Sequence, residues 1–173
     1  MRHTVLFPLL LAAAAPVAAE VKSASATGFE TEVRARVPVS PAEAYAALGR
    51  IGRWWQSAHT YSGDAANMTL EPRAGGCFCE TIPADGGTIE HGRVIYARPG
   101  QQLRVSGALG PLQAEAVTGT LTWTLSPAEG GTEIVMSYVV GGYVRGAGAE
   151  PLAPLVDQVL AAQLEGLRAH LSR

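Results

Sequence analysis

The spacing of apolar residues along this chain switches from a period of two to a helical period, back to two, and finally to a long helical stripe. Phe29, Thr31, Val33, Ala35 and Val37 alternate with Glu30, Glu32, Arg34 and Arg36, the pattern of a strand with one dry and one wet face. Ser40-Pro41-Ala42-Glu43 follows. Serine caps free N–H groups, proline suits the first helical position, and Glu43 reaches back to complete a capping box. A short helix is therefore expected from Ser40 to about Leu48, broken by Gly49 and Gly52, with a second helical turn at Arg53-Trp54-Trp55. Six more strands are expected, at 68–71, 77–82, 88–97, 102–109, 113–126 and 132–140, separated by glycine- and proline-bearing turns. Gly141-Gly142 is expected to break the last of them, and Gly146-Ala147-Gly148 to form a flexible link.

A final helix begins near Glu150-Pro151. Leu152, Leu155, Val156, Val159, Leu160, Leu164, Leu167 and Leu171 recur along one face, while Asp157, Gln158, Gln163, Glu165 and Arg168 fall mostly elsewhere. A single amphipathic helix after seven strands must bury its stripe on the sheet. The expected class is α+β: a seven-stranded curved antiparallel sheet around a long C-terminal helix, with two short helices after strand one. Seven strands supply more dry surface than one helix covers, which predicts a cavity between them.

The beginning of the chain has a different character. Arg2 and His3 precede an apolar run from Val5 to Ala15, too short to span a bilayer comfortably. Val17-Ala18-Ala19 then places small residues where a signal peptidase reads. The expectation is a signal peptide over 1–19, a mobile leader over 20–27 and one domain over 28–173, in a periplasmic or secreted protein. Removing 19 of 173 residues leaves 154, enough for one sizeable core. With Arg2 gone, 12 basic and 15 acidic residues remain, a net charge of −3. That balance offers no basic surface for nucleic acid, and no membrane span is expected in the mature chain. A charged fraction of 16% beside 47% apolar residues suits extensive burial.

Three local patterns add a family likeness. Val37-Pro38-Val39-Ser40-Pro41-Ala42-Glu43-Ala44-Tyr45 leads from strand to capped helix. Gly75-Gly76-Cys77-Phe78 opens a strand on a glycine pair. Gly92-Arg93-Val94-Ile95-Tyr96, with Arg98-Pro99-Gly100, closes a strand on a proline turn. In this order, over Phe29 to about Ser172, the chain resembles the helix-grip SRPBCC superfamily of START and birch-pollen-allergen-like domains. It is most similar to the polyketide cyclase/dehydrase members and to relatives of the activators of heat-shock-protein-90 ATPase. The resemblance implies a cavity for hydrophobic ligands and brings no shared catalytic motif. A signal peptide fits poorly with a cytosolic co-chaperone.

Candidate chemistry is sparse. His59, Tyr61 and Asp64 sit in the loop after Trp54-Trp55, where a histidine and a carboxylate can serve as acid and base or simply stabilise the loop. Glu80 is a third catalytic candidate, expected to face Glu90 across a hairpin, with Arg93 pairing one of them. Trp54, Trp55, Tyr61, His91 and Trp123 are candidate ligand contacts, with core packing the plainer role of the tryptophans. Cys77 and Cys79 are the only cysteines and point to one face of a strand. Buried thiols, a strained disulfide, or a zinc or copper site shared with His91 all fit that placement. The missing Cys-x-x-Cys spacing argues against a metal, and no cofactor is expected. No Gly-x-Ser-x-Gly, Walker or His-Glu-x-x-His motif occurs.

The leading expectation is an exported binder of a small apolar or amphipathic molecule. A cyclase- or hydrolase-like enzyme in the same cavity is the alternative, and a protein-interaction module using the outer sheet face is the second.

Overall fold

A computed structural model describes residues 17–173. The expected signal peptide lies outside the described residues except for Val17, Ala18 and Ala19. The elements run β1 (Ala18–Ser25), β2 (Gly28–Val37), α1 (Pro41–Leu48), β3 (Met68–Leu70), β4 (Cys77–Ile82), β5 (Gly87–Arg98), β6 (Gln102–Ser106), β7 (Ala116–Ala128), β8 (Gly131–Tyr143) and α2 (Ala153–Leu171). One antiparallel sheet has the order β1-β2-β8-β7-β6-β5-β4-β3, so its first and last strands form the two edges. The chain is an α+β helix-grip fold, with eight strands in place of the expected seven.

The added strand is β1, formed by Ala18 and Ala19, read from sequence as the end of a signal peptide, and by the first residues of the expected 20–27 leader. Ala18 to Ser25 pair with Arg34 to Gly28 of β2. Almost every residue of β1 is exposed, so apolar periodicity gave no signal. The free edge of β2 supplies the backbone hydrogen bonds instead. Two expected boundaries also move. β8 continues through Gly141 and Gly142 to Tyr143, both glycines pairing with β7. β6 stops at Ser106 and β7 starts at Ala116, because the connection folds into a 3-10 turn at Gly110–Ala114 with Pro111 near its start.

Around α1 the expected chemistry is present. The Ser40 hydroxyl accepts the Glu43 N–H, and the Glu43 carboxylate accepts the Ser40 N–H at 3.0 Å. A 3-10 turn at Ile51–Arg53 follows and delivers Trp54 and Trp55 to the interior.

α2 behaves differently along its length. Leu160, Gln163, Leu164 and Leu167 are fully buried, whereas Leu152, Val156 and Val159 are half-buried and Leu155 is 57% exposed. The expectation of a uniformly packed stripe therefore holds only for the C-terminal part. That part is held down locally. A Cβ at Gly166 would collide with the carbonyl oxygen of Trp54, so glycine permits the close approach. Gln163 Oε1 accepts the Gln56 N–H at 2.8 Å, and Gln56 Nε2 donates to the Ala162 carbonyl at 3.0 Å. Gln163 was expected off the apolar face, yet it is buried because it satisfies this backbone donor. Latched at one end, the helix lies against β1 and β2 at the other and leaves a gap toward Phe78 of β4 and His91 of β5.

Candidate functional site

The gap under the N-terminal half of α2 is a cavity of about 520 Å³. Three elements wall it. Leu155, Val156, Val159 and Leu160 come from α2; Phe78, His91 and Tyr138 from the inner sheet face; Trp55 and residues 58–61, with 109–112, from two rim loops. Tyr61 joins these loops, its hydroxyl donating to the Gly110 carbonyl at 2.9 Å.

The sheet side holds the site's polar feature, and an irregularity in β5 creates it. Phe78 pairs with Gly92 and Cys79 with Glu90, so His91 has no partner on β4. This bulge turns His91 and Gly92 both inward, where simple alternation would send His91 out. Gly92 is required there, since a Cβ would strike the Ser106 carbonyl oxygen and Val105 of β6. His91 then meets Glu80, which faces inward from β4, at 2.9 Å between Nε2 and Oε2. The two side chains are 5% and 0% exposed.

Backbone N–H groups of Tyr61 and Ser62 also donate to the Glu80 carboxylate, one to each oxygen. Burial pushes the Glu80 carboxyl up, but hydrogen bonds from Ser62, Tyr61 and His91 outweigh it and hold the group below the usual carboxylate range. For His91, burial pushes the imidazole down and dominates the opposing pull of Glu80. The pair is thus a carboxylate beside a neutral imidazole. Glu80 also ties the 57–67 loop to the sheet and so shapes the cavity wall. Phe78 lies 4.9 Å from the His91 ring and Tyr61 5.9 Å, between centroids.

Tyr138 is a lining residue whose hydroxyl is fully engaged. It donates to the Gly107 carbonyl at 2.9 Å and accepts the Leu109 N–H at 3.0 Å. Burial raises its pKa to about 12.

Of the residues singled out from sequence, the structure gathers Trp55, His59, Tyr61 and His91 at the cavity. His59 is exposed at the rim, and its carbonyl accepts the Trp55 indole N–H at 3.1 Å. Glu80 stands behind His91. Trp54 lies away from the cavity, buried, with its indole N–H on the Ala47 carbonyl at 2.9 Å. Trp123 is likewise core and fully buried. Asp64 does not enter the site: it caps a 3-10 turn by accepting the Ala66 N–H at 2.9 Å. Phe78, Tyr138 and the 109–112 turn escaped the sequence reading, because they carry the marks of ordinary core or of a strand. Gly92 within a strand was the available sign of the bulge.

The bulge also corrects the outer face. Glu80 was expected to oppose Glu90, but Glu90 opposes Cys79 and pairs with Arg93, while Glu80 points to the other side. Cys79 and His91 consequently lie on opposite faces, so the thiol–imidazole metal arrangement cannot form. Cys77 and Cys79 are joined in a disulfide, with Cα atoms 5.4 Å apart. A regular strand would set them roughly 6.5 Å apart or more, and the distorted register at Phe78–Cys79 accompanies the shorter span. Their sulfurs and a Glu90 oxygen lie within 4.8 Å of one another. With the sulfurs bonded to each other and Glu90 held by Arg93, that group does not present a metal's usual thiolate ligands.

With this geometry in place, comparison with known proteins defines the class. Residues 28–172 match the family described as polyketide cyclase / dehydrase and lipid transport, and the chain belongs to that family within the SRPBCC superfamily. Among solved structures, a putative uncharacterized protein from Rhizobium leguminosarum superposes with a TM-score of 0.61 at 19% identity, covering 91% of this chain and 98% of its own. A protein from Rhodobacter sphaeroides gives 0.56 at 25% identity, over 89% and 97% of the two chains. The di-domain ARO/CYC StfQ of the steffimycin biosynthetic pathway gives 0.56 at 16% identity, over 84% of this chain and 51% of that one. No curated protein matches the sequence.

Proposed function

We propose that this protein binds a small apolar or amphipathic molecule in the cavity between α2 and the sheet. The observation that carries the reading is the stand-off of α2, which leaves Leu155, Val156 and Val159 facing Phe78 and Trp55 across open space. An apolar guest would be favoured by about 25 cal/mol for each Å² it removes from water. A cavity of about 520 Å³ lies within the range of small-molecule sites. The family's description and the ARO/CYC neighbour are compatible with such a guest.

Binding accounts for the site better than turnover does. Acid–base chemistry asks for a second ionisable group converging with the first. His91 supplies one, with Glu80 behind it and not in the lining; His59 stands on the exposed rim, the Tyr138 hydroxyl is committed to Gly107 and Leu109, and Asp64 is spent on a cap. The outer sheet face sets charged and polar contacts, Glu32–Arg34 and Arg104–Thr122, among its exposed Tyr96 and Val139. The test is a titration with octylbenzene followed by tryptophan fluorescence. Saturable one-site binding that alters the signal of Trp55 is expected; an unsaturable, linear response would overturn the reading.

Export with cleavage after Ala19 is part of the same proposal. Beyond the sequence pattern, the Glu20 backbone N–H faces the Asp157 carboxylate, whose Oδ1 is buried without a partner among the described residues. Burial pushes the Asp157 carboxyl up, more than the Glu20 N–H lowers it. Cleavage would convert that N–H into an ammonium group beside an undersatisfied carboxylate. N-terminal sequencing of the protein from the export compartment should begin at Glu20. A chain that begins at Met1 there would refute the proposal.

A further inference from the structure

The cavity wall is mostly apolar, and His91 stands in it with the buried Glu80 carboxylate at its back. Glu80 accepts three donors, from Tyr61, Ser62 and His91, as an ionised carboxylate does. Since a carboxylate only accepts, the shared proton sits on His91 Nε2. Nδ1 has no acceptor among the described residues, so a second ring proton there would be an unpaired charged donor against a largely apolar wall; the neutral ring, protonated at Nε2, carries its free lone pair on Nδ1. Among the described residues Nδ1 makes no hydrogen bond, and it is not one of the enclosed polar atoms without a partner. His91 lines the cavity, so this lone pair faces the space a guest would occupy.

The charge behind Nδ1 makes it a strong acceptor. A donor that bonds to Nδ1 draws positive charge onto the ring, and Glu80 stabilises that charge from the other side. The cavity offers nothing comparable to an anion. Among the described residues no lysine or arginine lines it. The hydroxyls of Tyr61, Tyr138 and Thr60 donate to the carbonyls of Gly110, Gly107 and Ser57. His59 is exposed at the rim. A carboxylate seated against His91 would meet a lone pair, with the Glu80 charge just beyond it.

Resting on the cavity-binding reading above, we propose that the cavity selects neutral apolar molecules bearing one hydroxyl donor, which bonds to His91 Nδ1, and rejects carboxylates of the same size and shape. Hydroxyl chemistry and not mere greasiness then defines the guest, and long-chain fatty acids in their ionised form are poor ligands.

Three probes of matched body separate these statements: para-octylphenol, octylbenzene and para-octylbenzoate, titrated at about pH 8, where a phenol stays neutral. In the wild type the phenol should bind roughly tenfold or more tighter than octylbenzene, in keeping with a charge-assisted hydrogen bond. The benzoate should bind more weakly than octylbenzene. His91→Phe preserves an aromatic ring between Tyr61 and Phe78. It should equalise the phenol and octylbenzene, with retained octylbenzene binding showing that the cavity is intact.

Nitrogen-15 NMR of the wild-type His91 ring gives an independent reading. The ring should be neutral at about pH 8, protonated at Nε2 and bare at Nδ1. A ring protonated at Nδ1 would overturn the selectivity. Equal wild-type affinity for phenol and octylbenzene would overturn the selectivity while leaving the cavity reading in place. So would a benzoate that binds as well as the phenol, or a His91→Phe variant that keeps the phenol preference. Failure of all three probes to bind the wild type would remove both proposals together.

Discussion

Glu80→Ala is expected to destabilise the fold by about 3–5 kcal/mol, read as a shift in the urea unfolding midpoint. The carboxylate is enclosed, and its removal leaves the N–H groups of Tyr61 and Ser62 and the imidazole N–H of His91 without acceptors. It also releases the 57–67 loop from β4, so partial entry of water sets the lower end of the range. Acid should reproduce part of the effect, with a sign that follows from the directions of both shifts. His91 has a lowered native pKa, so the fold holds its full contribution above the ordinary value of 6.5 and loses it as pH falls from there through the lowered native value. Glu80 is lowered too. Its contribution is complete above the ordinary 4.5 and is lost as pH falls through its own native value. Stability should therefore decline on acidification from about pH 6.5. His170 is also lowered, by burial first and then by Arg50, and acts in the same window. The difference between wild type and His91→Phe isolates the His91 part. A loss under about 1 kcal/mol for Glu80→Ala would mean that water replaces the carboxylate and that the pair is not the keystone of this wall.

The second large effect concerns the guest. Val159→Glu should weaken octylbenzene binding by a hundredfold or more, about 3 kcal/mol, because entry of the apolar body would strip water from a carboxylate with no cation to receive it. Val159 is half-buried and lines the cavity, so the free protein can leave the new side chain solvated and remain folded. Unchanged thermal stability with lost binding is the expected combination. Unchanged binding would place the guest elsewhere.

Much of this arrangement was legible in the residues. Alternation from Phe29 to Val37 predicted β2, and the serine, proline and glutamate after it predicted the capped α1. The leucines of 152–171 predicted a helix against a sheet, and the surplus of dry sheet surface predicted a cavity. Three things were not legible, each for a physical reason. β1 is exposed on nearly every side chain and exists through backbone pairing with an edge, which leaves no periodic mark. The bulge at His91 advances the register by one, and a one-residue shift exchanges the faces of a strand. It brings His91 to the inner face beside Glu80 and leaves Glu90 outside, while the cysteines take the outer face by the alternation of β4 itself. The half-and-half behaviour of α2 depends on Gly166, Gln163 and Gln56, whose contacts lie more than a hundred residues apart along the chain. Local pattern cannot show which end of an apolar stripe will be clamped.

A small molecule is proposed to sit in the space between the N-terminal half of α2 and the sheet. The most direct measurement is isotope-filtered NMR on the protein saturated with octylbenzene, to find which protein protons lie within contact of the guest. Cross-peaks are expected from the guest to the Val156 and Val159 methyl groups and to the rings of Trp55, Phe78 and His91. Cross-peaks confined to outer-face residues such as Tyr96 or Val139 would contradict that placement.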